Sequence, residues 1–380
     1  MATLTSITGI VVIILILLDA FETVVLPRRV TRHFRLSGWF YRNTWRPWKE
    51  IASRIQSPAR RETMLGYFGP LSLIFLLALW AMSLICGFAL LQYGTGQHLQ
   101  FVGQISSFWL LLYHSGETFF TLGYGDIVPT TSTARALAVF EAGMGFAFLG
   151  VVIGYLPTIY AAFSKREIEI SLLDARAGSP PSVAELLGRF GNCPRQGVLD
   201  EILRDWERWS AEILESHLSY PVLSFFRSQH NNQSWLAALT TILDTSAVVI
   251  AGIDGIHNEQ ARLTFAVARH AVVDLAQVVN ARYDPSEPDR LPDNELGRLT
   301  EYLAASGLRI EKPSSFPQTL AQLRALYEPY ALAIGDNLFY TVPPWIHPEK
   351  KKDNWQAGPW DRAIQARSLG QRPQSMEEHF

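Results

Sequence analysis

The segment Thr121-Leu122-Gly123-Tyr124-Gly125-Asp126 has the composition required for an unusual backbone. Glycine adopts left-handed dihedral angles without steric cost, and it stands here at every second position, Gly123 and Gly125. A backbone that alternates in this way can point successive carbonyl oxygens to one side. A ring of such carbonyls replaces the hydration shell of a cation. The segment therefore predicts coordination of a dehydrated cation, with the Thr121 hydroxyl below the carbonyls and the Tyr124 ring wedged into surrounding protein.

Apolar helices must position this segment. The runs Leu4–Leu26, Gly66–Gln92 and Thr133–Phe163 are each long enough to span a bilayer. The run Ile105–Phe120 is shorter and reaches only about 24 Å as a helix, against a hydrocarbon core of about 30 Å. A re-entrant piece of this kind is tolerated where protein or a water-filled cavity surrounds its backbone, which favours a pore.

The organisation of the chain follows from the uneven distribution of its apolar residues. Hydrophobic residues make up 48% of the 380 residues, and most of the long apolar runs lie before residue 163. The net charge of -2 excludes no class of protein. Cys86 and Cys193 are too few for a disulfide or cysteine-metal framework. We predict an all-α protein in four parts. These are an N-terminal transmembrane helix (1–27), a basic cytoplasmic interfacial segment (28–65), a pore domain (66–163, with outer helix 66–92, pore helix 105–120, filter 121–126 and inner helix 133–163) and a cytoplasmic helical domain (164–380).

Basic residues between the first two spans set the orientation. Only Glu50 and Glu62 oppose them, so the positive-inside rule places this loop in the cytoplasm and the N-terminus outside. Arg29, Arg32 and Arg35 repeat every third residue like a voltage sensor, but the aromatic residues around them favour a helix at the headgroup level. The basic residues of the loop are Arg28, Arg29, Arg32, Arg35, Arg42, Arg46, Lys49, Arg54, Arg60 and Arg61.

Over Gly66 to about Phe163 the sequence resembles the potassium channel pore family, whose signature is T-x-G-Y-G. The spacing is most similar to bacterial channels with two spans around one pore loop. The resemblance implies a homotetramer in which each subunit supplies one quarter of the filter, with K⁺ held at Thr121, Leu122, Gly123 and Tyr124. Leu122 departs from the more usual Val or Ile. The rival within transport is a non-selective cation channel, which an intact Tyr124 disfavours.

The resemblance also implies a carboxyl–carboxylate pair between Glu117 and Asp126 that supports the filter. The alternative is two solvated acids that attract cations at the pore mouth. Tyr113 and His114 replace the family's paired tryptophans, so the aromatic surroundings of the filter differ.

The inner helix carries the predicted gate. Family spacing places a hinge at Gly145. For Gly143 and Gly150 two interpretations stand side by side, helix bending and close helix packing. Pro157 removes a backbone donor and predicts a kink, with a constriction at 153–157.

Three acids lie within the predicted spans. Glu141 is a functional candidate by its position in a membrane helix, facing the cavity or pairing with His114 or a polar group of the pore helix. Asp19 and Glu22 share one helical face and are expected to pair with the basic loop.

The second half shows apolar residues at helical spacing, with helices predicted at 198–217, 235–250, 259–281 and 317–332. The stripe Ile202, Trp206, Trp209, Ile213 and His217 is typical of core or subunit contact. Neither a G-x-G-x-x-G motif nor zinc-ligand spacing is present, and Gly252–Gly255 is typical of a turn.

We therefore expect a potassium-selective channel in a cell membrane that conducts passively, is not an enzyme and needs no cofactor beyond transported K⁺. The expected partners are copies of itself, the lipid bilayer and an unknown regulatory ligand of the helical domain, without nucleic acid. A membrane-anchored sensor with a vestigial pore is the rival from another class.

Overall fold

The computed structural model describes residues 2–26, 35–96, 99–101, 107–191, 196–230, 232–286 and 289–347. It confirms the all-α class. The chain forms two compact units: unit 1 comprises 1–54 and 67–161, and unit 2 comprises 55–66 and 162–380. The helices are α1 Ala2–Ala20, α2 Leu36–Ser53, α3 Pro58–Gly94, α4 Phe108–Phe119, α5 Ser132–Ala177, α6 Val183–Gly191, α7 Gln196–Ser219, α8 Trp235–Gly252, α9 Glu259–Val278, α10 Asp293–Ala305, α11 Phe316–Arg324 and α12 Glu328–Leu338.

Four helical segments in the described part of the chain are long and apolar enough to cross a membrane: α1 with the π-helical turn that follows it (Ala2–Val25), α3, α5 and α8. The last differs from the others because 83% of its apolar window is buried inside the protein, against 11% for α5. A helix that is apolar on all sides and enclosed by protein is a core element. Helix α8 is therefore the central helix of unit 2.

In unit 1, α1 packs antiparallel on α3 through glycines. A Cβ added at Gly9 would lie 2.6 Å from the carbonyl oxygen of Gly87, and one at Gly87 would lie 2.8 Å from the Ile13 side chain. Small residues allow membrane helices to approach this closely.

Asp19 joins three helices of unit 1. Its buried carboxylate accepts hydrogen bonds from the Ser37 amide at 3.0 Å, the Ser37 hydroxyl at 3.1 Å and the Trp80 indole N–H at 3.0 Å. Ser37 lies in the first turn of α2, where amides lack helical partners and a negative charge is favoured. Two of these hydrogen bonds come from Ser37, which belongs to the predicted basic segment, and Glu22 lies 3.8 Å from Arg35 of the same segment. Arg28, Arg29 and Arg32 fall outside the described residues.

We expect Asp19→Asn to destabilise the protein, because an amide cannot satisfy all three donors. Leaving a buried donor unpaired costs roughly 1–3 kcal/mol. The measurement is thermal unfolding of the purified protein in detergent, with Glu50→Gln as the control because the Glu50 side chain is 66% exposed. Equal melting temperatures for the two variants would show that the Asp19 contacts contribute nothing.

Two helices extend beyond the predicted spans. Helix α3 begins at Pro58, well before Gly66, and α5 continues to Ala177 rather than Phe163. Charged residues mark the end of an apolar run, but the helix itself continues through them. Helix α3 starts at a proline, which is common in the first turn, and α5 stops just before Gly178, whose φ is +83°.

The core of unit 2 contains the predicted stripe of α7. Trp206, Trp209, Ile213 and His217 are all buried, while Ile202 is half-buried. Helix α9 packs most closely on α7 and also packs on α8, and His217 contacts Trp235 of α8 directly. The stripe is therefore part of a helical core. Gly252 and Gly255 have φ values of +119° and +74°, so the predicted turn is confirmed.

Arg166, on the last turns of α5, is buried in unit 2. Its guanidinium donates to the carbonyls of Leu223 at 2.9 Å and Phe226 at 2.7 Å, and it lies 3.3 Å from His217 Nε2. The Nδ1 atom of His217 lies 2.8 Å from the Ile213 carbonyl. A carbonyl can only accept, so Nδ1 carries the proton and Nε2 accepts from Arg166. Burial and the adjacent Arg166 lower the pKa of His217 well below 6.5.

Unit 2 is therefore expected to lose stability on acidification. The unfolded state binds the His217 proton more readily than the folded state, so this contribution is complete above the unfolded pKa of 6.5 and declines as pH falls below it. The expected slope is about 1.4 kcal/mol per pH unit. Thermal unfolding between neutral and mildly acidic pH measures it. His217→Gln should flatten this dependence, whereas His257→Gln, on an exposed side chain, should leave it unchanged.

The predicted helix 317–332 was wrong, since the structure divides it into α11 and α12. Pro329 lies in the first turn of α12, where its missing N–H costs nothing, so it marks a helix start. The start of α12 also holds a buried ionic network. Arg290 lies 2.9 Å from Asp244 and 2.8 Å from Glu328, which fixes the connection before α10 to α8 and α12.

Candidate functional site

Helix α4 is the short helix before the glycine segment, and its last turn determines how that segment begins. The amide of Leu122 donates to the Glu117 carbonyl at 2.8 Å, and the amide of Thr121 donates to the Thr118 carbonyl at 3.1 Å. These two bonds form a Schellman motif, which requires a left-handed residue directly after the helix. Thr121 occupies that position with φ of +58°. The first residue of the segment is therefore fixed by the end of α4.

The backbone of the segment alternates in handedness. Thr121, Gly123 and Gly125 have φ values of +58°, +59° and +78°, while Leu122 and Tyr124 are not left-handed. This is the alternation predicted from the two glycines, extended by one residue toward α4. Such a ladder can turn successive carbonyls toward one axis.

The segment is held at its far end by a small sheet. Strand β2, Ile127–Pro129, pairs antiparallel with β1, Leu99–Phe101, with Phe101 opposite Ile127. The side chains of Leu122 and Tyr124 are 55% and 69% exposed in the single chain. The segment is thus anchored at both ends while one side of it remains uncovered.

The two acids near the segment have other partners than each other. Glu117 is buried, and its Oε1 lies 3.1 Å from His114 Nδ1, whereas its Oε2 has no hydrogen bond within the described chain. Asp126 interacts with the Tyr113 hydroxyl. The residues that replace the family's tryptophans therefore hold the two acids separately, in place of the expected Glu117–Asp126 pair.

Gly145 lies where α5 crosses the end of α4. A Cβ added there would overlap the carbonyl oxygen of Phe119, whereas nothing lies within 4 Å of a Cβ added at Gly143 or Gly150. Helix α5 runs unbroken through both Gly145 and Pro157. The close approach of the two backbones is a sufficient reason for the glycine at 145.

The predicted gate residues divide between two faces of α5. Ile153 is 64% exposed and Pro157 is also exposed, whereas Tyr155 is 5% exposed. Phe146, Gly150, Ile153 and Pro157 follow one exposed stripe at helical spacing. Ile153 and Pro157 therefore share one exposed face of α5, whereas Tyr155 lies on a buried face.

Glu141 is buried rather than facing a cavity. Its carboxyl group contacts the Ser115 hydroxyl of α4 and accepts a hydrogen bond from the Gln92 amide of α3 at 2.9 Å. Sequence reasoning anticipated a polar partner on the pore helix but did not identify Ser115 or Gln92. Both helices carry other polar residues, so the sequence did not single out these two.

Within the described ranges, no group of three or more His, Cys, Asp or Glu side chains is placed to hold a metal ion.

Part of the chain matches a known protein family. Residues 74–161 match a family described as "Ion channel". The chain is 21% identical over 242 residues to an uncharacterized membrane protein, YdjJ, of Bacillus subtilis (strain 168), in an alignment that covers 63% of this chain and 69% of the relative. No solved structure matches the chain.

The chain therefore contains an ion channel domain and is a multi-pass membrane protein. The match confirms the resemblance to the potassium channel pore family for residues 74–161, which include α4, the glycine segment and most of α5.

Proposed function

We propose that this chain is one subunit of a homotetrameric potassium channel that conducts K⁺ passively and performs no enzymatic chemistry. The observation that carries the proposal is the alternation of left-handed residues at Thr121, Gly123 and Gly125, directly after the end of α4. Carbonyls of Thr121, Leu122, Gly123 and Tyr124 would replace the water around K⁺. The ions would pass by repulsion between neighbouring sites.

Assembly in fours is supported by the uncovered side of the filter segment. One chain supplies only one wall, so a closed ring of carbonyls needs further copies. The exposed Leu122 and Tyr124 side chains would then pack against neighbouring subunits. The C-terminal end of α4 points its partial negative charge toward the segment, which favours a cation there.

The proposal extends to regulation of the pore by unit 2. Helix α5 is continuous from Ser132 to Ala177, and its end is bound in unit 2 through Arg166. The first turns of α3 also belong to unit 2, where Glu62 lies 3.4 Å from Arg227. A ligand that rearranges unit 2 would therefore act on both pore helices, with the constriction near Ile153 and Pro157. The proposed topology has the N-terminus outside and unit 2 in the cytoplasm.

The test is ion flux into liposomes that contain the purified full-length protein, with K⁺ or Na⁺ as the permeant cation and Ba²⁺ as a blocker. Flux of K⁺ but not Na⁺, blocked by Ba²⁺, is the expected result. Equal flux of both ions would overturn potassium selectivity. A subunit count of four by native mass spectrometry tests the assembly separately.

A further inference from the structure

The Glu141 cluster connects three helices behind the filter segment. From α5, the carboxyl group reaches Ser115 on α4 and Gln92 on α3. The Ser115 hydroxyl also lies 2.8 Å from the main-chain carbonyl of Ile85 on α3. Glu141 and Ser115 are both fully buried. Ser115 lies six residues before Thr121, so the cluster fixes the helix that ends in the filter.

The protons of this cluster can be counted. The Ile85 carbonyl only accepts, so its contact with Ser115 uses the single proton of the serine hydroxyl. The second contact of the same oxygen, with Glu141, then needs a proton from the carboxyl group. The remaining carboxyl oxygen accepts from the Gln92 amide. All three contacts are satisfied when Glu141 is a neutral carboxylic acid.

The residues around Glu141 also favour its neutral form. An ionised carboxylate buried in a membrane helix is costly without a cation beside it, and no lysine or arginine contacts Glu141 within the described chain. Near the residues that contact Glu141, the titratable groups are Cys86 and Tyr93 on α3, and Tyr113, His114 and Glu117 on α4. Of these, His114 and Glu117 pair with each other, and Tyr113 interacts with Asp126.

We propose that Glu141 is a positioning residue that holds the filter-bearing helix α4 to α3 and α5 as a neutral carboxylic acid. It would therefore not attract K⁺ as a cavity charge. The effect on conduction rests on the proposed channel function, while the protonation state and the bracing contacts can be measured without conduction.

The test compares Glu141→Gln with Glu141→Ala in the full-length protein. Glutamine keeps the shape, donates an N–H to Ser115 and accepts from Gln92, so K⁺ flux should stay within about two-fold of the unmodified channel. Alanine leaves buried groups unpaired and should reduce flux roughly ten-fold or more. Flux of the unmodified channel should also decline at high pH, when Glu141 is forced to ionise, and Glu141→Gln should remove that decline.

Infrared spectroscopy supplies a readout besides flux. A protonated carboxylic acid gives a C=O stretching band that a carboxylate lacks. This band should be present in the unmodified protein, disappear in Glu141→Gln and shift in Ser115→Ala, where its hydrogen-bond partner is lost. Ser83→Ala, a serine of α3 two residues from Ile85, is the matched control and should leave the band in place.

Absence of the band, or a Glu141→Gln variant as impaired as Glu141→Ala, would overturn the proposal. If the unmodified protein conducts without selecting K⁺, the proposed function fails. The infrared band and the relative thermal stabilities of the variants would still decide the state of Glu141.

Discussion

Gly123→Ala is expected to abolish selective K⁺ flux. Gly123 has φ of +59°, and an alanine in this region costs roughly 1–2 kcal/mol in each subunit. The neighbouring space is open, so the strain lies in the backbone rather than in a clash. Relief of that strain would rotate the peptide and turn a carbonyl away from the ion path. Liposome flux with K⁺ and Na⁺ measures the result.

The chain offers a matched control for this substitution. Gly96 has φ of +62°, and a Cβ added there also meets nothing within 4 Å. Gly96→Ala therefore imposes the same backbone strain outside the filter segment, and it should leave selectivity intact. A Gly123→Ala channel that still prefers K⁺ over Na⁺ would contradict the role given to this backbone.

Gly145→Ala is expected to impair both stability and conduction. The added methyl group overlaps the Phe119 carbonyl oxygen, so α5 or the end of α4 must move. Overpacking of this kind typically costs about 1–3 kcal/mol, and Phe119 lies two residues before Thr121. We expect a lower melting temperature together with at least roughly ten-fold lower K⁺ flux.

Gly143→Ala and Gly150→Ala are the controls, because both positions are open in the single chain. They should leave the melting temperature unchanged. The hinge hypothesis makes a different prediction for Gly145→Ala: altered channel opening at normal stability. That outcome would favour bending over packing as the reason for the glycine at 145.

Features set by local sequence were predictable. The glycine spacing predicted the alternating backbone, and apolar runs predicted the locations of α1, α3 and α5. Helix ends were predicted less well, because α3 and α5 continue through the charged residues that close an apolar run. Proline and glycine mark the actual boundaries at Pro58 and Gly178.

Contacts between distant residues were not predictable. Glu141 is separated from Ser115 by 26 residues and from Gln92 by 49, so no periodicity connects them. The partners of Glu117 and Asp126 also required the structure. The resemblance implied that they pair with each other. Instead, His114 contacts Glu117, and Tyr113 interacts with Asp126. The left-handed φ of Thr121 was missed because glycine, not threonine, is the usual signal.

Thr121 belongs at once to the cap of α4 and to the first ion site of the proposed filter. The two roles are thermodynamically linked: an ion that binds the capped conformation stabilises that conformation by its own binding free energy. Potassium would then tighten the end of α4, and fraying of α4 would weaken the innermost site. On this basis the channel's affinity for its ion is partly a property of helix folding, and depletion of K⁺ would loosen the protein from the filter inward.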